Sequence, residues 1–377
     1  MKKSLKKLIL TYKYLGVYLN HLKGKIINHN DSFFGEVKFE ERINHIDKIN
    51  DFDSDNYIVP GFVDLHCHGG NGFDTMEGLN SIKNMSKYHL SRGTTTLLAT
   101  TWTSSFDHTY EALKDFNSLI NVNSNLIGVH LEGPFINPNK LGAQPPLTQI
   151  PSIEFIEKII SSVDVKVITL APEIDGMNTF IPYLKNKKIN IQFGHSLADY
   201  NCCIKYMNDF KIGFTHLYNA MSGNDSRNPG VLSAALEKSE FAEIICDLNH
   251  VSPQSINIAN KCIPKLYAVS DCIAAGGLKD GDYVFANSKI SKKNDKITLI
   301  NSSTLAGSGI NMHKTFLNLL NIDYSPQEAV AMTSYNASNY LKLNDLGLLK
   351  EGYKSNFLVL DKNYKLLDVY LNGKKIV

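Results

Sequence analysis

From about residue 61 the chain alternates short apolar runs, rich in β-branched residues, with amphipathic segments of helical spacing. This alternation predicts βαβ units, in which helices cover a parallel sheet. The predicted strands are residues 61–69, 94–100, 125–133, 166–173, 190–196, 213–219, 241–249 and 265–272. Eight such strands predict an α/β fold of the closed (β/α)8 TIM-like barrel type, which usually takes about 250 residues.

The two ends of the chain follow a different pattern. Residues before Pro60 and from about Leu346 onward predict short strands, separated by turns that contain Gly, Asn and Lys. We expect both ends to pair in one small β-sandwich domain. The predicted domains are residues 1–58 with 344–377 for the β domain, and 59–343 for the catalytic barrel.

Histidine and carboxylate side chains collect near the C-terminal ends of the predicted barrel strands. The residues concerned are His66, His68, Glu132, His195, His216 and Asp271. Barrel enzymes of this class build their active sites at this end, from the ends of several strands. The pattern therefore predicts one shared site at the barrel mouth.

The first strand carries two histidines with one residue between them. Because side chains alternate along a strand, His66 and His68 project from one face and Cys67 from the other. Two imidazoles on one face can hold a divalent ion. A histidine taken alone also fits a satisfied core position, and Cys67 fits packing better than metal binding.

The other strand ends supply a carboxylate, two histidines and an acid. Glu132, His195 and His216 make the two-histidine, one-carboxylate set that is common at catalytic zinc. Asp271 ends the eighth strand, where a carboxylate can take a proton from an attacking water and return it to a leaving amine. Two of these residues also have a structural interpretation. Glu132 could be a solvated loop residue, and Asp271 could cap a turn.

The loop after the sixth strand and the one after the seventh suit an anionic substrate. Asn219, Ala220 and Arg227 lie in a segment rich in Gly and Asn, where backbone N–H groups and a guanidinium can bind phosphate. His250 follows the seventh strand as a second candidate contact. On its own it reads as an ordinary loop residue.

Composition narrows the function classes. The 377 residues are 43% hydrophobic and 20% charged, with a formal net charge of +2. A charge so close to neutral does not indicate binding to nucleic acid or to anionic membranes. Polar residues interrupt the N-terminal apolar run, and no run approaches a membrane span. The six cysteines show neither CxxC pairs nor disulfide-scaffold density. We expect a cytoplasmic protein without nucleic-acid or membrane partners.

Several motifs occur in a characteristic order. They are PGFVDLHCHG, HLEGPFINPNKLGA, FGHS, THLYNAM, DLNHVSP, SD and LAGSGINM. From about Tyr57 to near the C-terminus, the chain closely resembles the N-acetylglucosamine-6-phosphate deacetylases of the amidohydrolase superfamily. The HxH pair is shared by many amidohydrolases, whereas HLEGPFINP followed by THLYNAM is much more specific.

The resemblance implies hydrolysis of the acetyl group of N-acetylglucosamine 6-phosphate, a reaction of amino-sugar metabolism. Glu132, His195 and His216 match the principal metal ligands of that family. His66 and His68 match a pair that only some members keep, so one or two divalent ions per subunit are implied, with zinc and iron as candidates. Asp271 matches the general acid and base and lies near the second ion.

The resemblance also implies substrate contacts. The matching positions are Gln144, Asn219, Ala220, Arg227, His250, Leu305, Ala306, Gly307 and Ser308. Asn219 and Ala220 match phosphate-binding backbone, and residues 305–308 match a loop over the acetyl group. Arg227 and His250 match contacts that reach a neighbouring subunit's site, which implies a homodimer. Some members have His in place of Gln144, and an amide can donate a hydrogen bond but cannot carry that charge.

Other functions remain open on the sequence. The substrate could be another N-acetyl-hexosamine 6-phosphate epimer, such as the galactosamine or mannosamine form. The enzyme could be a different amidohydrolase, although cyclic-amide hydrolases usually bridge their metals with a modified lysine on the fourth strand, and here Lys166 stands only at its start. A third alternative is a catalytically silent sugar-phosphate sensor on the same fold.

Overall fold

A computed structural model describes residues 20–50, 54–121 and 123–377. Its centre is a barrel of eight strands, whose ends lie within five residues of the predicted ones. They are β1 Phe62–Cys67, β2 Thr94–Thr101, β3 Leu126–Glu132, β4 Val165–Leu170, β5 Asn190–Phe193, β6 Ile212–Phe214, β7 Phe241–Ile245 and β8 Lys265–Val269. The predicted (β/α)8 barrel is confirmed.

The strands follow one another around the barrel in chain order. Strands β1 to β6 form one parallel sheet, and β7 and β8 form a parallel pair. The Leu217 amide donates to the Glu243 carbonyl at 2.8 Å beside β6 and β7. The Asp271 amide donates to the His66 carbonyl at 2.9 Å, so β8 lies against β1. All eight strand ends therefore surround one mouth.

A helix follows each barrel strand and covers its outer face. The helices are α1 Leu79–Ser91, α2 Phe106–Leu113, α3 Ile153–Ile160, α4 Met177–Asn186, α5 Tyr200–Met207, α6 Val231–Lys238, α7 Pro253–Cys262 and α8 Met312–Asn321. Several begin at a serine whose hydroxyl accepts a backbone N–H of the first turn, as Ser105, Ser152 and Ser252 do. These caps satisfy donors that a helix leaves free at its start.

Two further groups of elements complete the barrel domain. After α8 come the short helices Pro326–Val330 and Asn336–Tyr340, joined by a π-helical turn, Ala331–Tyr335. Between β8 and α8 lies a three-stranded antiparallel sheet, Gly281–Phe285, Ser288–Lys293 and Lys296–Leu299. Shorter pieces are the strands Gly69–Gly70 and Phe73–Asp74 and the 3-10 turns Thr75–Glu77 and Phe116–Leu119. The three-stranded sheet was not predicted, although it lies at the barrel mouth.

Strands from both ends of the chain form one seven-stranded sheet. In spatial order they are Lys374–Lys375, Leu366–Leu371, Phe357–Leu360, Tyr57–Pro60, Asn20–Ile27, Ser32–Phe39 and Ile43–Lys48. The small β domain built from both termini is therefore confirmed. Its predicted bounds, 1–58 and 344–377, stay a prediction.

This sheet folds over its own core. Phe39 and Tyr370 lie four strands apart, which in a flat sheet would separate them by about 19 Å. Their ring centroids are 5.4 Å apart, and Phe39 also contacts Phe357 at 4.9 Å. The two halves of one sheet thus face each other as the layers of a sandwich do, around a shared apolar core.

Residues 1–19 carry most of the N-terminal apolar run that polar residues interrupt, and they lie outside the described residues. Within the described ranges, no helix has the length and apolar character needed to cross a membrane.

Candidate active site

A cavity of about 410 Å³ opens at the barrel mouth. Most of the predicted site residues line it: His68, Glu132, Gln144, His195, His216, Asn219, Ala220, His250, Asp271, Leu305 and Gly307. His66, Ala306 and Ser308 are fully buried and do not line it. Arg227 is exposed and lies outside this cavity, beside a separate surface depression.

Three of the donors converge closely and are called here the glutamate group: Glu132, His195 and His216. The Oε1 atom of Glu132 lies 3.0 Å from His195 Nε2 and 2.9 Å from His216 Nε2. The two Nε2 atoms are 3.1 Å apart. Three lone-pair donors from β3, β5 and β6 therefore surround one point.

A second set, called here the aspartate group, consists of His66, His68 and Asp271. The Nε2 atoms of the two histidines are 3.1 Å apart, and Asp271 Oδ1 lies 3.4 Å and 3.3 Å from them. Glu132 faces this group as well, since its Oε2 is 3.3 Å from His68 Nε2. One carboxylate thus lies between both groups.

Both groups fit a divalent ion. Ligands bound at 2.0–2.1 Å to a tetrahedral zinc lie about 3.3 Å from one another, close to the separations found here. The charges agree with this fit: although burial acts to lower the pKa of His66, the carboxylates of Glu243 and Glu132 raise it well above its usual value. The surroundings of this ring therefore favour positive charge.

The backbone at these strand ends is unusual. His195, His216 and Asp271 have φ values of 47°, 28° and 48°, in the left-handed region that side chains other than glycine rarely adopt. Such conformations cost on the order of 1–3 kcal/mol each and are concentrated at functional sites. Here they turn the three side chains from the strands into the mouth.

Asp271 meets both the cavity and the aspartate group. Burial acts to raise the pKa of its carboxyl, but the hydrogen bond to His68 and the charges of the facing histidines outweigh burial and lower it. The carboxyl is therefore ionised at neutral pH. An ionised carboxylate on the wall of the cavity can accept a proton.

The remaining ring nitrogens show how two of the histidines are oriented. His195 Nδ1 donates to the Lys140 carbonyl at 2.7 Å, and His66 Nδ1 donates to the Glu243 carboxylate at 2.9 Å. These bonds leave the lone pair of each Nε2 facing the cluster. The corresponding Nδ1 atoms of His68 and His216 have no hydrogen-bond partner among the described residues.

Glu243 was missed from the sequence. It lies in the middle of β7 with every neighbour buried, and it is itself 0% exposed. It accepts from His66 and, at 3.3 Å, from the His216 amide, so it contacts both groups. A carboxylate inside a continuous apolar strand is costly unless paired, and this signal could have identified it.

The far side of the cavity is polar. The His250 ring donates to Asp247 at 2.8 Å, and the same carboxylate accepts the His250 amide at 2.8 Å. Asn219 follows β6 and is half-buried. Its backbone N–H donates to the His216 carbonyl at 3.0 Å. Fixed polar groups after β6 and β7 can receive a charged substrate group.

Gln144 and the 305–308 loop border the reaction centre. The Gln144 oxygen accepts the Thr103 amide at 2.7 Å, so its NH2 group faces Glu132 and His195 as a donor. The Ser308 hydroxyl donates to the Ser270 carbonyl, and its amide donates to the Asp271 carbonyl at 2.8 Å. Ser308 therefore fixes the loop beside Asp271, while Leu305 and Gly307 reach the cavity.

Comparisons with known proteins agree with this geometry. The model of the amidohydrolase family matches residues 57–376, which is most of the chain. The chain belongs to the amidohydrolase family. It is 31% identical over 369 residues to the N-acetylglucosamine-6-phosphate deacetylase of Bacillus subtilis, covering 93% of this chain and 92% of the relative.

Two further likenesses are informative about the subgroup. The solved structure of N-acetylglucosamine-6-phosphate deacetylase from Thermotoga maritima has a TM-score of 0.88 and 30% identity, covering 95% of this chain and 99% of that one. An N-acetylgalactosamine-6-phosphate deacetylase of Escherichia coli O157:H7 is 28% identical over 328 residues, covering 84% of this chain and 87% of the relative. The likeness thus includes deacetylases named for two epimers.

Proposed function

We propose that this amidohydrolase removes the acetyl group from N-acetylglucosamine 6-phosphate, giving glucosamine 6-phosphate and acetate. The observation that carries the proposal is the position of the Glu132 carboxylate between two donor groups, at the wall of a cavity whose far side is polar. The similarity to deacetylases of this substrate supports it. Water supplies the new acyl oxygen, and the C–N bond breaks.

The roles of the residues follow from their positions. Glu132, His195 and His216 hold one divalent ion, and His66, His68 and Asp271 can hold a second. A divalent ion in such a site polarises the amide carbonyl and lowers the pKa of water. Zinc and iron are the proposed metals, because both accept imidazole and carboxylate ligands.

Asp271 moves the proton. Its ionised carboxylate takes the proton of the attacking water and then delivers it to the sugar nitrogen as the C–N bond breaks. The Gln144 NH2 group, fixed by the Thr103 amide, donates a hydrogen bond to the oxygen that becomes negatively charged. Gln144 therefore acts as a neutral donor.

The substrate is held through its phosphate and its sugar. The phosphate end faces the backbone at Asn219 and Ala220 and the His250 ring. Leu305 and Gly307, the members of the 305–308 loop that line the cavity, cover the acetyl group. Arg227 is exposed, and no side-chain hydrogen bond or ion pair is found for it within the described ranges. We assign it to the site of a neighbouring subunit in a homodimer. The enzyme works in the cytoplasm, where phosphosugars are formed.

An acetate-release assay tests the function. Metal-loaded protein is given the gluco, galacto and manno epimers of N-acetyl-hexosamine 6-phosphate, with free amine, acetate and metal content measured on one sample. We expect equal amounts of amine and acetate, released fastest from the gluco epimer. Faster release from the galacto epimer would favour that substrate, and binding without release would favour a sensor.

A further inference from the structure

The cavity has an apolar side as well as a polar one. Ala143, Ile273, Phe285 and Leu305 line it, and Phe285 and Ile273 are buried, at 5% and 0% exposure. The ring of Phe285 lies 6.0 Å, centroid to centroid, from His68. An aromatic side chain thus borders the reaction centre at the aspartate group.

Phe285 lies next to the turn of a β-hairpin. It ends the strand Gly281–Phe285 and pairs with Ser288 across the turn. The two turn residues, Ala286 and Asn287, have φ values of 47° and 67°, as in the type I′ turns of tight hairpins. Hairpin tips are normally exposed, yet Ala286 is only 7% exposed. The Ala286 side of the tip is therefore packed against the barrel mouth, whereas Asn287 is exposed.

The wall behind Phe285 is tightly filled. The centroid of its ring lies 6.5 Å from that of Trp102. The same buried cluster includes Met76, Ile290 and Ala306. The Trp102 indole is held in place by a hydrogen bond to Asp74 at 3.1 Å. Packed interiors deform little, so Phe285 cannot retreat to admit a larger group without cost.

Barrel topology places this wall opposite the phosphate side. His68 follows β1 and Trp102 follows β2, whereas Asn219 follows β6 and His250 follows β7. With eight strands in chain order, β2 and β6 lie across the mouth from each other. The substrate's amide carbonyl lies at the two metal groups, and its sugar extends towards β6 and β7. Its acyl chain therefore points towards Phe285.

We propose that Phe285 limits the length of the acyl group, so that acetyl is accepted and longer acyl chains are excluded. The inference rests on the proposed deacetylase function and assigns a specificity role to the hairpin. A single methylene in an apolar pocket changes kcat/KM by about 10–200-fold. Two extra methylenes, as in a butyryl group, should be rejected strongly.

The test compares N-acetyl, N-propionyl and N-butyryl glucosamine 6-phosphate. All three release the same amine, so one assay of free amine gives kcat/KM for each. In the Phe285→Ala variant we expect the acetyl-to-butyryl ratio of kcat/KM to fall at least about tenfold. The matched control is Val284→Ala, which changes the same strand at a residue that is 64% exposed and should leave the ratio unchanged.

The outcomes separate this inference from the function on which it rests. A folded, metal-loaded Phe285→Ala protein with an unchanged ratio would overturn the role of Phe285 and leave the deacetylase function standing. Equal wild-type rates on acetyl and butyryl substrates would do the same. If the wild type releases amine from none of the three, the proposed function fails as well.

Two more variants keep the test decisive if Phe285→Ala does not fold. Phe285→Leu removes less side-chain volume than Phe285→Ala, and we expect a smaller fall of the ratio in the same direction. Ala143→Val narrows the same wall, so the preference for an N-formyl over an N-acetyl substrate should rise. Opposite shifts from the two variants would support a steric wall, and no shift in either would overturn it.

Discussion

The glutamate group and the aspartate group share one carboxylate but differ in how closely their atoms converge. Donor atoms of Glu132, His195 and His216 lie 2.9–3.1 Å apart, whereas those of His66, His68 and Asp271 lie 3.1–3.4 Å apart. The first group is drawn from three strand ends. The second comes from the adjacent strands β1 and β8 and also contains the proposed acid and base.

From this difference in membership we infer different roles for the two groups. The glutamate group is the two-histidine, one-carboxylate set that is common at catalytic zinc, and none of its members is proposed to exchange protons. The aspartate group contains Asp271, which is proposed to exchange protons during turnover and is therefore suited to weaker binding. We therefore expect the ion at the glutamate group to be held more tightly than one at the aspartate group, and each prediction below tests that contrast.

The largest effect should come from His216→Asn. It removes a donor from the tighter group, so metal content should fall and turnover should drop by on the order of 10³-fold or more, since a Lewis-acidic ion contributes several kcal/mol. Metal analysis and kcat measure this. His45→Asn, an exposed histidine of the small domain, is the control. Normal metal content with normal rates would contradict the expectation that the glutamate group holds the more tightly bound ion.

Asp271→Asn should be the next largest. An amide cannot accept the proton of the attacking water, so kcat should fall by about 10²–10⁴-fold. The ion of the glutamate group should remain, which metal analysis checks at one ion or more per subunit. A variant with near-normal turnover would refute the role of Asp271 in proton transfer.

Glu243→Gln should act mainly on the aspartate group, because its side-chain contact is with His66, whereas it meets His216 only at the backbone amide. The amide keeps the shape of the carboxylate but loses the charge that orients His66, and loss of such a partner typically costs about 10–100-fold in metal affinity or activity. We expect the second ion to be lost at a lower chelator concentration than in the wild type. The surface change Glu240→Gln is the matched control.

A second measurement separates positioning of His66 from general damage. In metal-free protein, a nitrogen-NMR titration of His66 should show a raised pKa in the wild type and a lower pKa in Glu243→Gln, because the Glu243 carboxylate is one of the charges that raise it. An unchanged pKa of His66, with the second ion released as in the wild type, would contradict the role of Glu243.

The smallest effect should come from Arg227→Ala, which touches neither metal group. We expect KM to rise about tenfold, the value of one charge-assisted hydrogen bond, with kcat and metal content unchanged. Arg227→Lys should recover only part of the loss, because an ammonium lacks the planar fork.

Subunit mixing tests where Arg227 acts. In a hybrid dimer, an Asp271→Asn subunit can offer its intact Arg227 to the site of an Arg227→Ala partner, which should restore a low KM. Hybrids that form but keep the high KM would show that Arg227 does not reach the neighbouring site.

Strand positions and strand-end donors were readable from the sequence because both rest on local patterns. Apolar runs with β-branched residues define the barrel strands, and polar residues at their ends must meet once the sheet closes. Glu243 could not be assigned a partner, because its contacts depend on which side chains β1 and β6 bring across the barrel interior. Phe285 was missed because a hairpin tip reads as solvent-exposed, and only tertiary packing buries it.

The strand Tyr57–Pro60 pairs on one side with Asn20–Ile27 and on the other with Phe357–Leu360. During synthesis on the ribosome, the barrel segments emerge between these partners. One edge of this strand therefore stays open for most of translation, and the domain that the two ends build is completed last. Open strand edges invite wrong pairings, so this late closure is the step at which a truncated chain would aggregate.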